Sequence, residues 1–300
     1  NKPFLEYIVE LLKKHSIREI ILSGYYLADD IKAYFGDGSK FNLGISYVVE
    51  DFPLGTGGAI KNVERSLKNS TFVVFNGDIL TDLNIGDLVN YHFRNKSKAT
   101  IALTPVEDPT LYGLVELNSE GSIIRFLEKP SWDQVTSNLI NAGTYVLEPE
   151  VLDYVPAGKN YSVERGLFPT LLDEQKPLFG YVSDCYWLDI GTPAKYLLAH
   201  HDILEGKIEH NLAGQELKQG VWIGEGTVIS PEAKISAPVI IGRDCQVEAH
   251  AKIGGLSAIG DGCVIGENAS LEGCVILDNC QVGENSLLNN SILGRRVKLG

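Results

Sequence analysis

Two carboxylates stand where apolar runs end, positions from which a hard cation could be held. TFVVFNGDIL closes on Asn76, Gly77 and Asp78, and YWLDIGTP closes on Asp189. Mg²⁺ is usually bound by one or two carboxylates together with substrate phosphates, so two strand-end Asp residues suit phosphoryl chemistry. Asp78 has a plainer reading as the cap of a following helix. The segment EDFPLGTGGAI leaves a strand through Pro53 and offers Leu54, Gly55, Thr56, Gly57 and Gly58 before a helix. Its glycines would let backbone amides approach a flat or anionic group. It matches neither G-x-x-x-x-G-K-[ST] nor G-x-G-x-x-G, and a tight turn would explain one or two of the glycines.

Between these segments lie LYGLVELN with Tyr112 and Gly113, FLEKP with Glu128 and Lys129, LINAGTYVLEP with Asn141 and Gly143, and YSVERGLFP with Glu164 and Arg165. Scattered polar side chains and close-approach glycines suit a hydroxyl-rich ligand that needs many hydrogen bonds and one cation for a phosphate. Lys129 taken alone reads as a solvated surface lysine.

The elements that must position these residues follow from the rhythm of residues 1–205. Apolar, β-branched runs (REIILSGYY, ISYVVED, TFVVFNGD, ATIALTPV, TYVLEP) alternate with helical stretches at Phe4–Lys14, Ile85–Phe93 and Ala194–Gly206. That alternation predicts an α/β, Rossmann-like domain with a mainly parallel sheet and helices on both faces. In open sheets of this kind ligands bind beyond the carboxyl ends of the strands, where the segments above fall. Residues 206–219, most of them in the polar stretch KIEHNLAGQELKQG that ends at Gly220, read as a linker.

Residues 220–300 have another period. Ile223, Ile229, Ile235, Ile241, Val247, Ile253, Ile259, Ile265, Leu271 and Leu277 are spaced by six, and after a one-residue slip the series resumes at Val282, Leu288, Leu293 and Leu299. This is the hexapeptide pattern of a left-handed parallel β-helix, three hexads to a coil, with the aliphatic side chains filling the interior. Cys245 and Cys263 are 18 residues apart, so they stack on neighbouring coils as buried thiols, with no other soft ligand spaced to make a metal site.

Composition bounds the rest. The chain has 300 residues, 44% apolar and 22% charged, with a net charge of −13 that opposes nucleic-acid backbones and anionic membranes alike. The amphipathic start is unlike an export signal, so the expected compartment is the cytoplasm. Five cysteines without a CxxC pair read as reduced and mostly buried.

PLGTGGAI, FNGD, YGLVE, FLEKP, NAGTYV, SVERGLFP and YWLDIGTP, in this order and approximate spacing, resemble the sugar-1-phosphate nucleotidyltransferase (nucleotide-sugar pyrophosphorylase) family over residues 1–205. Members with a hexapeptide β-helix behind the catalytic domain are common. The resemblance implies that an NTP and a sugar 1-phosphate are the substrates, that Leu54–Gly58 borders the nucleobase and Asn76 and Gly77 the nucleotide, and that Asp78 and Asp189 hold a catalytic Mg²⁺. Lys129 would bind the sugar phosphate, and Gly113, Glu128, Asn141, Gly143 and Glu164 would contact the sugar. The family's glycine-rich triphosphate loop falls upstream of the segment matching Asn1–Phe4.

The base loop, SVERGLFP and YWLDIGTP resemble most the mannose-1-phosphate guanylyltransferases. Heptose-1-phosphate guanylyl-, glucose-1-phosphate thymidylyl-, uridylyl- and adenylyltransferases stay open, as does a non-catalytic regulatory homologue. The β-helix is expected to be structural and to contribute to a homo-oligomer. Hexapeptide acyltransferases use a His, and His250, the histidine of this region, reads instead as a turn residue.

Overall fold

In the computed structural model the apolar spacing of FLEYIVELLKK forms helix α1 (Phe4–Lys14), which buries Ile8, Val9, Leu11 and Leu12. Residues 2–67, 69–208 and 212–300 are described. Their contacts define two units, Leu5–Ile79 with Leu83–Trp187, and Asn1–Phe4 with Leu80–Asp82 and Leu188–Gly300.

In the first unit β1 (Glu19–Gly24) leads through α2 (Ala28–Phe35) to β2 (Gly44–Val49), and the two strands pair in parallel from Glu19↔Gly44 to Gly24↔Val49. Ile20, Phe35, Leu43 and Ile45 pack with the apolar stripe of α1. Then follow α3 (Gly55–Asn62), β3 (Phe72–Phe75), β4 (Ile79–Thr81), whose last two residues group with the second unit, α4 (Ile85–Arg94), β5 (Ala99–Pro105), β6 (Gly113–Leu117), β7 (Ile123–Glu128), β8 (Leu139–Leu147), α5 (Phe168–Asp173) and β9 (Leu178–Val182). The strand order is β7-β6-β8-β5-β9, with β3 also bonded to β8.

The α/β class and the appended coils agree with the sequence, but pairing in this sheet is mixed rather than mainly parallel. β5–β9 is parallel, whereas β6–β7, β6–β8, β5–β8 and β3–β8 are antiparallel. The five-residue connection from β6 to β7 is a hairpin-type return, which brings strands back antiparallel. Helices cover both faces: Ile101, Leu103 and Tyr145 pack with Val163, Leu167 and Phe168, while Ala102 and Val146 pack with Leu88 of α4. The alternation along β5 is the period-two signature of a strand buried on both sides.

In the second unit β10 (Trp187–Asp189) precedes α6 (Pro193–Leu204), whose start is set by Pro193 and by Thr192, the latter accepting the Lys195 amide at 3.2 Å. The contacts group residues 188–204 with the coils, although the sequence rhythm had placed them with the preceding residues. Within the expected linker, residues 209–211 lie outside the described residues. Further along, Gln215–Lys218 forms β11, antiparallel to β12 (Val221–Ile223).

Three parallel sheets then form the coils, with Val221↔Val239, Val228↔Gln246 and Lys234↔Lys252 each 18 residues apart. Ile223, Ile241, Ile259, Ile265 and Leu271 share one interior core with Cys245, Cys263, Cys274 and Cys280, and no disulfide joins the cysteines. The slip comes earlier than the sequence spacing placed it. Ile259 pairs with Ile276, so Ile276 takes the interior position, and Leu277 turns outward beside Ile240, Ala258 and Val275 under Leu204 of α6. His250 is exposed at a coil corner with φ 58°, and Asn268 and Asn285 show the same left-handed conformation in later coils. No helix among the described residues is long and apolar enough to cross a membrane.

Candidate functional site

The three glycines after Pro53 form the first turn of α3 instead of preceding it, and what they approach is chain. A side chain at Gly58 would meet the Lys159 carbonyl oxygen at 2.5 Å, and one at Gly55, whose φ is +68°, would meet that of Tyr161 at 2.9 Å. The amides of Gly57 and Gly58 both donate to the Tyr161 carbonyl, at 2.8 and 3.1 Å, and Tyr161 returns its amide to Leu54 O at 2.8 Å. The helix start is tied on its other side by Glu50, a buried carboxylate that accepts the Leu54 amide at 2.9 Å and the Ser23 hydroxyl at 3.3 Å. The glycines thus serve close packing of α3 on residues 159–161, and that edge of the helix is held fixed.

Thr56 points from that edge to Glu164. Its hydroxyl donates to Glu164 Oε2 at 2.9 Å and accepts the Val163 amide at 3.0 Å. Glu164 sits in a π-helical turn, Val163–Leu167, begun by Ser162, whose hydroxyl accepts the amides of Glu164 and Arg165 and donates to Glu164 Oε2 at 2.5 Å. Such turns interrupt regular helices and often occur at functional positions.

From β8, Asn141 and Gly143 join the same cluster. Asn141 Oδ1 accepts the Gly143 amide at 2.9 Å, and its Nδ2 donates to the Tyr145 hydroxyl at 2.9 Å. Gly143 has φ +72°, and a side chain there would lie 2.9 Å from Asn76 Nδ2, while its carbonyl accepts the Asn76 amide at 2.8 Å. Glycine is needed on both counts.

Glu128 ends β7 opposite Gly113, where an added side chain would meet Phe126 at 2.9 Å and Glu128 Oε2 at 3.1 Å. Burial pushes the Glu128 carboxyl up and the Glu164 charge adds to it, with Lys129 and Arg165 pulling it partly back. Lys129 is exposed with φ 51°, and its amide donates to Tyr112 O at 2.9 Å. The first unit therefore gathers Thr56, Asn141, Gly143 and Glu164 into one hydrogen-bonded set through the Tyr145 hydroxyl, with Glu128 linked to it by the Glu164 charge alone, Asn76 against Gly143 and Gly113 against Glu128.

Asp78 is exposed in the turn between β3 and β4. It does not cap a helix, because a strand follows and Asn84 caps α4 by accepting the Asp87 amide at 3.2 Å. Gly77 is exposed beside it. In the second unit Asp189 accepts the Gly191 amide at 2.8 Å and pairs with Lys195 at 2.7 Å. Burial raises its carboxyl, but the hydrogen bonds from Lys195 and Gly191 outweigh this and hold it below the usual range. Among the described residues no group of three or more His, Cys, Asp or Glu side chains is placed to hold a metal. A cavity of about 670 Å³ lined in part by Glu64, Arg65, Pro149 and Asp153 contains none of the candidate residues.

Sequence reasoning passed over Tyr145, Ser162, Glu50 and Trp187, whose indole donates to the Ala142 carbonyl at 2.9 Å. Period-two spacing on β8 was the available signal for Tyr145, since residues 141, 143 and 145 fall on one face. For the others a single sequence offers none.

The chain belongs to the nucleotidyl transferase family, whose model matches residues 1–206; that of the GMPPB C-terminal domain matches residues 235–300. The mannose-1-phosphate guanylyltransferase of Mycobacterium tuberculosis is 37% identical over 279 residues, 91% of this chain and 74% of that protein. The UTP–glucose-1-phosphate uridylyltransferase of Synechocystis is 34% identical over 293 residues, 93% of this chain and 76% of that protein. Among solved structures, HddC from Yersinia pseudotuberculosis complexed with GMP-PN has a TM-score of 0.58 at 30% identity, covering 66% of this chain and 84% of that one.

Proposed function

We propose that this protein transfers a guanylyl group from GTP to mannose 1-phosphate, giving GDP-mannose and pyrophosphate. The observation that carries the reading is the 37% identity over 91% of the chain to a mannose-1-phosphate guanylyltransferase. The connected set Thr56–Glu164–Asn141 supports it, because a sugar's hydroxyls call for fixed acceptors and donors. A phosphate oxygen of the sugar 1-phosphate forms a bond to the α-phosphorus as the bond to the pyrophosphate oxygen breaks, and pyrophosphate leaves with the electron pair. Such chemistry needs positioning and charge neutralisation rather than a nucleophilic side chain.

In this reading Leu54–Gly58 border the base, Asn76 and Gly77 the nucleotide, and Lys129 neutralises the sugar phosphate. Gly113, Glu128, Asn141, Gly143 and Glu164 contact the sugar. Asp78 and Asp189 supply hard oxygen donors of the kind Mg²⁺ takes, and the bound ion would neutralise phosphate charge. The coils serve homo-oligomer contacts, a reading supported by the exposed Val228 and Leu287, and the protein works in the cytoplasm.

Glucose-1-phosphate uridylyl transfer is a second reading, favoured by the 34% identity to the Synechocystis enzyme. The reverse reaction separates the two: with pyrophosphate and Mg²⁺ the protein releases GTP from GDP-mannose. Faster release of UTP from UDP-glucose would replace the first reading by the second.

A further inference from the structure

We propose that Tyr145 is a positioning residue that sets the two side chains reading the sugar, Asn141 and Glu164. The inference rests on the assignment of those two residues to the sugar. Tyr145 is fully buried, with its ring against Phe168 at 5.2 Å between centroids. Asn141 Nδ2 donates to its hydroxyl at 2.9 Å, and the hydroxyl donates to Glu164 Oε1 at 3.5 Å.

A phenol has one proton to give. With that proton directed at Glu164, the oxygen accepts from Asn141, which fixes the amide with Nδ2 toward Tyr145 and Oδ1 on the Gly143 amide. Glu164 Oε2 is occupied by Thr56 and Ser162, so Oε1, the oxygen facing Tyr145, is the one with acceptor capacity left for a ligand hydroxyl. Burial and the Glu164 charge hold the phenol far above its usual range, so it remains a donor at every working pH. Both side chains that would sense the orientation of a sugar hydroxyl are thereby referenced to one buried oxygen. Glu128, also named for the sugar, does not touch it among the bonds described.

Tyr145→Phe keeps the ring and removes that reference. The test is steady-state kinetics of the full-length protein with whichever NTP and sugar 1-phosphate the wild type prefers, with melting curves to establish that each variant is folded. Thr100→Val is the control, removing a buried hydroxyl that contacts His92 at 2.9 Å in the same unit.

The expected result for Tyr145→Phe is a KM for the sugar 1-phosphate raised about tenfold, a KM for the NTP within about twofold, and a smaller preference between mannose and glucose 1-phosphates. Equal changes in both KM values, no change, or the same shift in Thr100→Val would overturn the proposal. Should Tyr145→Phe fail to fold, fluorotyrosine at this position, which keeps the shape and weakens the acceptor, must shift the sugar KM in the same direction. If the wild type turns over no substrate pair, the functional reading falls by itself. Calorimetric titration of mannose 1-phosphate then decides: about tenfold weaker binding to Tyr145→Phe supports the role of Tyr145, and equal or absent binding overturns it.

Discussion

The hydroxyl of Thr56 donates to the carboxylate of Glu164 at 2.9 Å, joining residues 108 apart in the chain. Because the same oxygen accepts the Val163 amide, the start of α3 and the turn carrying Glu164 are held as one piece. Thr56→Val keeps the shape and loses both bonds. Its kcat/KM for the sugar 1-phosphate is expected to fall by about tenfold, a loss in the range of one charge-assisted hydrogen bond. Thr56→Ser, which keeps the hydroxyl, recovers most of it in the same assay.

Glycine to alanine inside a helix ordinarily stabilises by about 1 kcal/mol. At Gly58 the sign reverses, because the new methyl would lie 2.5 Å from the Lys159 carbonyl oxygen and 3.0 Å from the Leu54 side chain. Gly58→Ala is expected to cost about 1–3 kcal/mol, read as a lower urea midpoint. Gly77→Ala, whose nearest neighbour is Leu5 at 4.0 Å, leaves the midpoint unchanged.

Asp78→Asn and Asp189→Asn are each expected to lower kcat by on the order of 10²-fold, as the loss of a charge that neutralises phosphate would. Asp189→Asn also breaks the pair with Lys195, a partly exposed contact of about 0–1 kcal/mol, so the variant stays folded. Single-turnover rates alongside melting curves check both points, and wild-type rates in either variant would remove that residue from the reaction.

His200 gives the stability of the second unit a pH dependence. Burial, opposed by the hydrogen bond to the Tyr196 carbonyl, holds its imidazole down to about 4, against 6.5 when exposed. Between those values the unfolded chain binds a proton that the folded chain refuses. The stabilisation is therefore complete above pH 6.5 and is lost as the pH falls toward 4, by up to about 3 kcal/mol. Urea midpoints between pH 7.5 and 4.5 are expected to fall less steeply for His200→Gln than for the wild type; parallel slopes would contradict this.

The coils were legible because a six-residue period leaves one inward position per hexad. The slip was not, since Ile276 and Leu277 are both aliphatic and spacing cannot choose between them. Stacking does, by placing Ile276 on Ile259. In the other unit the strand-end positions of Asp78 and Glu128 were readable from apolar runs that stop, whereas Asn141 lies within β8. Asp78 retained a capping alternative until Ile79–Thr81 proved to be a strand and Asn84 the cap. The glycines at 55, 57 and 58 signalled close approach without saying to what, and the answer, Tyr161, lies far along the chain. Tyr145, in the apolar run TYVLEP, is core; its polar role arises from partners that only the fold supplies.

The most direct test of the account is one panel of GTP, UTP and dTTP against mannose, glucose and heptose 1-phosphates, with pyrophosphate release as the readout. The full-length protein is expected to release pyrophosphate fastest from GTP with mannose 1-phosphate. A purine pocket that satisfies guanine's donors and acceptors leaves them unpaired against a pyrimidine, so the other NTPs should lag by well over an order of magnitude. Preferred turnover of UTP or dTTP with glucose 1-phosphate would contradict the assignment of base and sugar, and release from no pair at all would contradict catalysis itself.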